Sequence, residues 1–112
     1  LYSAPGELSA LVEHVEREGT GASPVLGRQL FENYCALCHG KHGQGDGKMA
    51  KIIKDPPPFN LTESVMPAQY LEAIIVQGGE KLKRSARMPP WGEQFNKGEI
   101  DAIVRYILTL RR

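Results

Sequence analysis

The chain has 112 residues, of which 41% are apolar, and a formal net charge of +1. This length indicates one domain, and a core of that size often depends on a cofactor, a metal or a disulfide for its stability. The small net charge argues against nucleic-acid binding, which usually shows a strong basic excess, and no apolar run reaches the roughly 18 residues needed to span a bilayer. The chain begins at Leu1 and shows no signal peptide, so we expect that an upstream segment has been removed.

The first 23 residues are predicted to form a helix and a flexible link. The apolar residues Leu8, Leu11, Val12 and Val15 recur at i, i+3, i+4 and i+7. This spacing is typical of an amphipathic helix. Gly19 supplies a helix stop, and residues 19–23 have the small and polar composition of a linker. We therefore expect an N-terminal helical extension and linker over residues 1–23, followed by the main domain over residues 24–112.

Two helices are predicted on either side of a stretch rich in glycine and proline. The first begins at Pro24, with the preceding serine as its cap, and runs to the cysteines. Residues 41–48 then hold three glycines and residues 56–58 are all proline, which favours a loop and extended chain. The second helix is predicted over residues 67–77, because two glycines follow it directly.

The last predicted helix begins after Asn96, with Glu99 at the spacing of a capping box. Its apolar stripe consists of Ile100, Ile103, Val104, Ile107 and Leu108. Residues 81–91 before it are predicted to be a loop that is basic at first and then stiffened by proline. No segment has the pattern of a strand, so the sequence predicts an all-α fold.

The strongest chemical signal is a pair of cysteines three positions apart, Cys35 and Cys38, with His39 directly after them. A disulfide between them would close a very small loop, and a thioredoxin-type pair requires a strand before the motif. A zinc site needs two further ligands, and the chain has no other cysteine. The remaining interpretation is covalent haem attachment, in which both thiols bond to the haem vinyl groups and the histidine ligates the iron. The sequence therefore predicts one covalently bound haem c.

From Gly27 onward the sequence resembles the small bacterial class I cytochromes c in segments that follow the family's order. They are GRQLF at 27–31, CALCHG and GQGDG within 35–47, MPPWG at 88–92, and Tyr106 in the last helix. The resemblance implies a class I cytochrome c fold in residues 24–112, with several short helices wrapped around one covalent haem c. It also implies that Gly27 and an aromatic residue of the first helix face the last helix. The predicted N-terminal helix is extra, since a minimal member of the family lacks it.

The resemblance implies His39 and Met88 as the axial ligands of the haem iron. Met88 lies in a proline-braced loop, which pre-organises a side chain with a weak grip on iron. Met66 lies just before a helix, where the usual gap-filling role of methionine accounts for it. Met49 follows the glycine loop closely and would lie on or near the His39 side of the haem. A filled His/Met site is typical of electron transfer, whereas an open position suits ligand binding or catalysis.

The second ring nitrogen of His39 is expected to donate a hydrogen bond to a backbone carbonyl, which fixes its tautomer. In the family this carbonyl belongs to a proline, and the candidates are Pro56, Pro57 and Pro58, among which the sequence does not choose. The other histidines are weaker ligand candidates. His42 is too close to His39 to reach the opposite haem face, and His14 lies on the polar side of its predicted helix.

An apolar wall against the haem is expected from Leu61, Leu71, Ile74 and Ile75, although such residues would be core in any helical protein. Trp91 either donates to a haem propionate through its indole or covers the pocket, and both roles stay open. Four positive charges lie close together beside the Met88 loop, namely Lys81, Lys83, Arg84 and Arg87. They are either an ordinary solvated loop or a docking surface that steers acidic redox partners.

The leading hypothesis is an electron transfer protein rather than an enzyme. It would carry single electrons between respiratory complexes, from a quinol-oxidising complex to a terminal oxidase or reductase. The resemblance implies a periplasmic location, because bacteria attach haem c outside the cytoplasm, and a membrane tether upstream of Leu1 stays open. The alternative is a cytochrome domain or subunit that serves as the electron outlet of a dehydrogenase-type enzyme. A haem sensor or peroxidase, in which the Met88 bond opens, is a third hypothesis.

Overall fold

The computed structural model describes residues 24–112, and its regular elements in that range are all helical. Helix α1 covers Pro24–Tyr34, α2 covers Ala36–His39, α3 covers Ala68–Gln77 and α4 covers Lys97–Thr109. Short 3₁₀ turns lie at Lys48–Lys51, Leu61–Glu63 and Glu80–Leu82. The predicted all-α fold is confirmed for these residues, and the three predicted helices are found close to their expected bounds. The N-terminal helix and its linker lie outside the described residues.

Helices α1 and α4 pack against each other at a glycine. A Cβ atom on Gly27 would collide with the carbonyl oxygen of Ala102 and would lie 2.9 Å from the Cβ atom of Tyr106. One turn further along α1, the ring centroid of Phe31 lies 5.4 Å from that of Tyr106. The expectation that Gly27 and an aromatic residue face the last helix is therefore confirmed.

The main core lies between these two helices. Their inward faces supply its most deeply buried residues, which are Leu26, Leu30 and Phe31 of α1 and Ala102 and Ile103 of α4. The predicted stripe of α4 is buried except at Leu108, which packs against the edge of the core. Burial of such faces is the main favourable contribution to folding. The fold thus depends on joining the beginning of the described chain to its end.

The start of α4 and the end of α3 follow their sequence signals. At the start of α4, the side chain of Asn96 accepts a hydrogen bond from the Glu99 amide, and the Glu99 carboxylate accepts one from the Asn96 amide, each at 2.8 Å. This is the predicted capping box, and it satisfies two amides that a helix start would leave unpaired. Helix α3 ends at Gly78, whose φ of 85° is accessible to glycine at little cost. No helix in residues 24–112 is long and apolar enough to cross a bilayer.

Replacing Gly27 by alanine should destabilise the haem-loaded protein by about 1–3 kcal/mol, because the added methyl group would push α1 and α4 apart. The measurement is chemical denaturation followed by helical circular dichroism. Gln29→Ala is the control, since Gln29 is exposed on the same helix, and it should change the free energy of unfolding by less than about 0.5 kcal/mol. Equal effects of the two substitutions would contradict the assigned close contact.

Candidate functional site

The two cysteines lie at the corner where α1 gives way to α2. The Cys35 amide donates to the Phe31 carbonyl at 2.8 Å, and the His39 amide donates to the Cys35 carbonyl at 3.0 Å. Both thiols are free. Burial, assisted by the nearby Cys38, raises the pKa of the Cys35 thiol to about 12. A catalytic or redox-exchanging cysteine needs an accessible thiolate, so this setting disfavours a thioredoxin-type role.

A glycine loop folds back over the corner. The Gly45 amide donates to the His39 carbonyl at 2.7 Å, and the Gly47 amide donates to the Cys38 carbonyl at 3.1 Å. A Cβ atom on Gly47 would collide with the carbonyl oxygens of Ala36 and Leu37. The predicted loop therefore closes tightly on the cysteine motif, and glycine is required where the two segments meet.

The ring of His39 is oriented by one backbone carbonyl. Its Nδ1 atom donates to the Phe59 carbonyl at 3.1 Å, which leaves Nε2 as the nitrogen available to a metal. The prediction that a proline carbonyl would fill this role is wrong, because the acceptor is the residue directly after the three prolines. The Leu61 amide donates to the Gly43 carbonyl at 2.6 Å, and this contact sets which residue of the extended segment lies beside the ring.

The electrostatic setting of His39 suits a neutral ligand. Its burial lowers the pKa of the imidazole, and this effect outweighs the bond to Phe59, which raises the pKa. A histidine ligates iron through an unprotonated nitrogen. The ring is thus held in one orientation and in the charge state that coordination requires.

The loop that carries Met88 lies on the last turn of α3. The Gly79 amide donates to the Met88 carbonyl at 2.9 Å. Beyond Met88, the Trp91 amide donates to the Ile75 carbonyl at 2.8 Å and the Gly92 amide to the Val76 carbonyl at 3.1 Å. The Met88 side chain is half-buried and packs against the core, beside the helix whose Leu71 and Ile75 were expected to face a haem.

An aromatic cluster joins this loop to the cysteine corner. Trp91 stacks on Phe95 with ring centroids 5.4 Å apart, and Tyr34 meets both rings edge-on, at 5.7 Å from Trp91 and 5.1 Å from Phe95. Tyr34 directly precedes Cys35, so the cluster brings the two predicted ligand segments to one side of the core. Sequence reasoning missed Tyr34 and Phe95, although the four-residue spacing of Trp91 and Phe95 was a usable signal.

The competing methionines lie in other surroundings. The Met66 carbonyl accepts a hydrogen bond from Arg111, and its amide donates to the Ser64 hydroxyl at 3.2 Å. Its side chain packs against the core partly buried, as expected for a gap-filling methionine. Met49 belongs to the 3₁₀ turn that follows the glycine loop. The choice of Met88 as a ligand stays a prediction that rests on its loop.

The residues present fit a covalently attached haem. Two free thiols and an oriented imidazole lie on one short stretch, and the expected wall residues Leu61, Leu71 and Ile75 are buried, with Ile74 partly so. In residues 24–112 no group of three or more His, Cys, Asp or Glu side chains is placed to hold a metal ion. That part of the chain therefore offers no zinc cluster as an alternative use for the cysteines.

Comparisons with known proteins agree with this chemistry. A family model described as cytochrome C oxidase, cbb3-type, subunit III matches residues 22–107. The chain is 29% identical over 110 residues to the cbb3-type cytochrome c oxidase subunit FixP of Azorhizobium caulinodans. The aligned region covers 93% of this chain and 34% of that protein. It is also similar to a chain of the Kuenenia stuttgartiensis reducing HAO-like protein complex, with a TM-score of 0.66 and 23% identity, over 77% of this chain and 41% of that one. The chain thus spans less than half the length of both relatives.

Removing the attachment chemistry should abolish the fold. A chain that surrounds a large apolar cofactor has too little core of its own, so Cys35→Ser, Cys38→Ser produced without haem should lack a cooperative unfolding transition. The measurement is a thermal melt followed by circular dichroism. Leu37→Ser is the control, because this side chain lies between the cysteines and is 56% exposed, and it should keep haem and transition. A sharp transition in the haem-free double variant would contradict the prediction.

Proposed function

This chain belongs to the cytochrome c family described as subunit III of cbb3-type cytochrome c oxidase, and from that premise we propose that it carries single electrons on one haem c. The family match confirms the resemblance to cytochromes c, and the helical structure with its solved neighbour agrees with a class I cytochrome c fold. Under the proposal, Cys35 and Cys38 would attach the haem, and His39 and Met88 would be the ligands of its iron.

The observation that carries the proposal is the contact between the Met88 segment and the residue that precedes Cys35. Trp91 lies three residues beyond Met88 and packs edge-on against Tyr34 at 5.7 Å. A loop and a cysteine motif far apart in the sequence therefore share one aromatic cluster. This supports a filled His/Met site, the arrangement typical of electron transfer.

Each residue of the site then has a distinct task. When bound, haem c supplies an iron atom that alternates between the ferric and ferrous states. The Phe59 carbonyl accepts from the His39 ring and strengthens that ligand as a donor. The Met88 thioether would donate weakly to ferric iron, which would favour the ferrous state and raise the reduction potential. Leu61, Leu71 and Ile75 exclude water and keep the surroundings apolar.

We further propose redox proteins as partners and an extracytoplasmic location. The curated relative is a subunit of a cytochrome c oxidase, which supports electron delivery between a quinol-oxidising complex and a terminal oxidase or reductase. The side chains of Lys81, Lys83, Arg84 and Arg87 are all exposed, as a surface that attracts acidic partners requires. A membrane anchor in a longer chain is compatible with this role.

A second candidate function is the electron outlet of a larger enzyme. The chain spans 34% of the curated relative and 41% of the similar solved chain, which is named as part of a protein complex. Both facts favour a haem domain that works within a larger assembly. The haem site would act in the same way, and only the electron donor and acceptor would differ.

Replacing Met88 tests the axial ligand. Met88→Ala should remove the sulfur-to-iron charge-transfer band of the oxidised protein and allow carbon monoxide to bind the reduced form. Met88→His should lower the reduction potential by a sizeable part of the span of about 0.8 V over which axial ligands tune haem. Met66→Ala is the control and should keep the band, because Met66 is held beside Arg111. Loss of the band in Met66→Ala alone would refute the assignment.

If the exposed basic side chains steer a partner, the rate of electron transfer should depend on ionic strength. Electron transfer to a haem or copper protein of net negative charge should slow as ionic strength rises past about 0.1 M, where the screening length is about 10 Å. Reversing Lys81, Lys83 and Arg87 to glutamate should remove most of this dependence and leave the absorption spectrum unchanged. Reversing Arg28 and Arg105, which are exposed on α1 and α4, is the control. A rate that ignores salt would mean that these charges are only solvated.

A further inference from the structure

The loop that leads to Met88 is closed mainly on itself. The Arg84 amide donates to the Gly79 carbonyl at 2.7 Å, the Met88 amide to the Ser85 carbonyl at 3.2 Å, and the Gly79 amide to the Met88 carbonyl at 2.9 Å. In the described part of the chain, every backbone hydrogen bond of residues 80–87 ends within residues 79–88. The shape of the loop is therefore set internally. Its two ends are fixed at the end of α3, and residues 80–87 between them make no backbone hydrogen bond to the rest of the described chain.

A side-chain contact from Arg84 joins these residues to α3. Its Nε atom donates to the Tyr70 hydroxyl at 2.9 Å, and its guanidinium carbon lies 5.8 Å from the centroid of the Tyr70 ring. Tyr70 lies in the first turn of α3, directly before the buried Leu71. The loop is thus attached to the start of α3 through Arg84 and to its end through the Trp91 amide, with Met88 between the two attachments.

The backbone just before Arg84 adopts an uncommon conformation. Lys83 has a φ of 59°, in the left-handed region that residues other than glycine rarely adopt. This turn ends the 3₁₀ segment Glu80–Leu82 and directs the chain back along α3. Such a conformation persists where surrounding contacts over-determine it. Three contacts fix the backbone here. They are the bond from Arg84 to Tyr70 and the two backbone bonds that end on the Gly79 carbonyl.

We propose that Arg84, through its bond to Tyr70, is a positioning residue that holds the Met88 loop closed over the haem. The inference rests on the proposed role of Met88 as an axial ligand. A thioether binds iron weakly, so a small change in how often the loop opens changes how often the sixth position is free. One hydrogen bond of this kind is enough to change such an equilibrium about fivefold.

The role differs from that of a mere positive charge. Lys81 and Arg87 carry the same charge on the same loop and are exposed. Within residues 24–112 neither side chain makes a hydrogen bond, since the bond from Arg87 to Ser85 comes from the backbone amide. Their removal should alter the potential near the haem in the same way as removal of Arg84. Removal of the Tyr70 hydroxyl leaves every charge in place and deletes only the bond. The two kinds of variant therefore separate position from charge.

The experiment measures imidazole binding to the oxidised holoprotein, since imidazole competes with Met88 for the iron. Arg84→Gln and Tyr70→Phe should each raise the association constant about fivefold, and the double variant should not exceed the larger single effect. Lys81→Gln and Arg87→Gln should change it by less than about twofold. Hydrogen exchange of the Gly79 amide, which is bonded to the Met88 carbonyl, should accelerate in the same two variants only.

Two results would overturn the inference. Unchanged imidazole affinity and unchanged Gly79 exchange in Tyr70→Phe would show that the bond does not hold the loop. An equal effect of Lys81→Gln and Arg84→Gln would assign the change to charge. Met88→Ala is the reference for the underlying proposal. If it retains both the charge-transfer band and the parent affinity for imidazole, Met88 is not the ligand and the role of Arg84 fails with it, whereas failure of the Tyr70 and Arg84 variants alone leaves the ligand assignment standing.

Discussion

The contact between α1 and α4 at Gly27 sets the position of the cysteine motif, because Cys35 follows α1 directly. A side chain at that point would hold the helices apart, since the carbonyl oxygen of Ala102 occupies the space that a Cβ atom would need. The same contact determines where the Met88 segment lies, because that segment leads into α4 through Trp91 and Phe95. Both halves of the proposed haem site are therefore attached to one pair of packed helices, and the cluster of Tyr34, Trp91 and Phe95 forms where they meet.

The two sides of the proposed site are held by different kinds of contact. On the His39 side, the proposed attachment points Cys35 and Cys38 lie within four residues of the ring, a glycine loop closes on the motif, and the Phe59 carbonyl fixes the ring. On the Met88 side, a loop would supply the ligand, and it is held by a few hydrogen bonds to the ends of α3 and by the packing of the Met88 side chain against the core. This asymmetry matches the chemistry of the ligands. An imidazole binds iron firmly, whereas a thioether depends on the protein to hold it in place.

The relationship to longer proteins bears on the biological setting. Both relatives exceed this chain in length, and each is named as part of an assembly, one an oxidase subunit and the other a chain of a complex. A haem domain transfers electrons by the same physics whether it diffuses or is fixed beside its donor. What changes is the effective concentration of the partner, which a shared chain or anchor raises without any new contact. The positive charges of residues 81–87 would raise the rate of electron transfer most for a diffusing carrier, since steering by charge accelerates encounter.

The local chemistry could be predicted from the sequence alone. The spacing of Cys35, Cys38 and His39, the periodicity of α3 and α4, and the capping box at Asn96 are signals within a few residues of each other, so they do not depend on the rest of the fold. The resemblance to cytochromes c added the approach of Gly27 to the last helix. The predicted N-terminal helix lies outside the described residues.

Contacts between distant segments were decided only by the tertiary structure. The acceptor of the His39 hydrogen bond is Phe59 rather than a proline, because the register of an extended segment depends on where Leu61 meets Gly43. Likewise, nothing local in the sequence pairs Arg84 with Tyr70 or Tyr34 with Trp91. Spacing along a chain determines which side chains share a helix face or a short motif. Which faces then meet depends on how the helices pack, and that packing is a property of the whole domain.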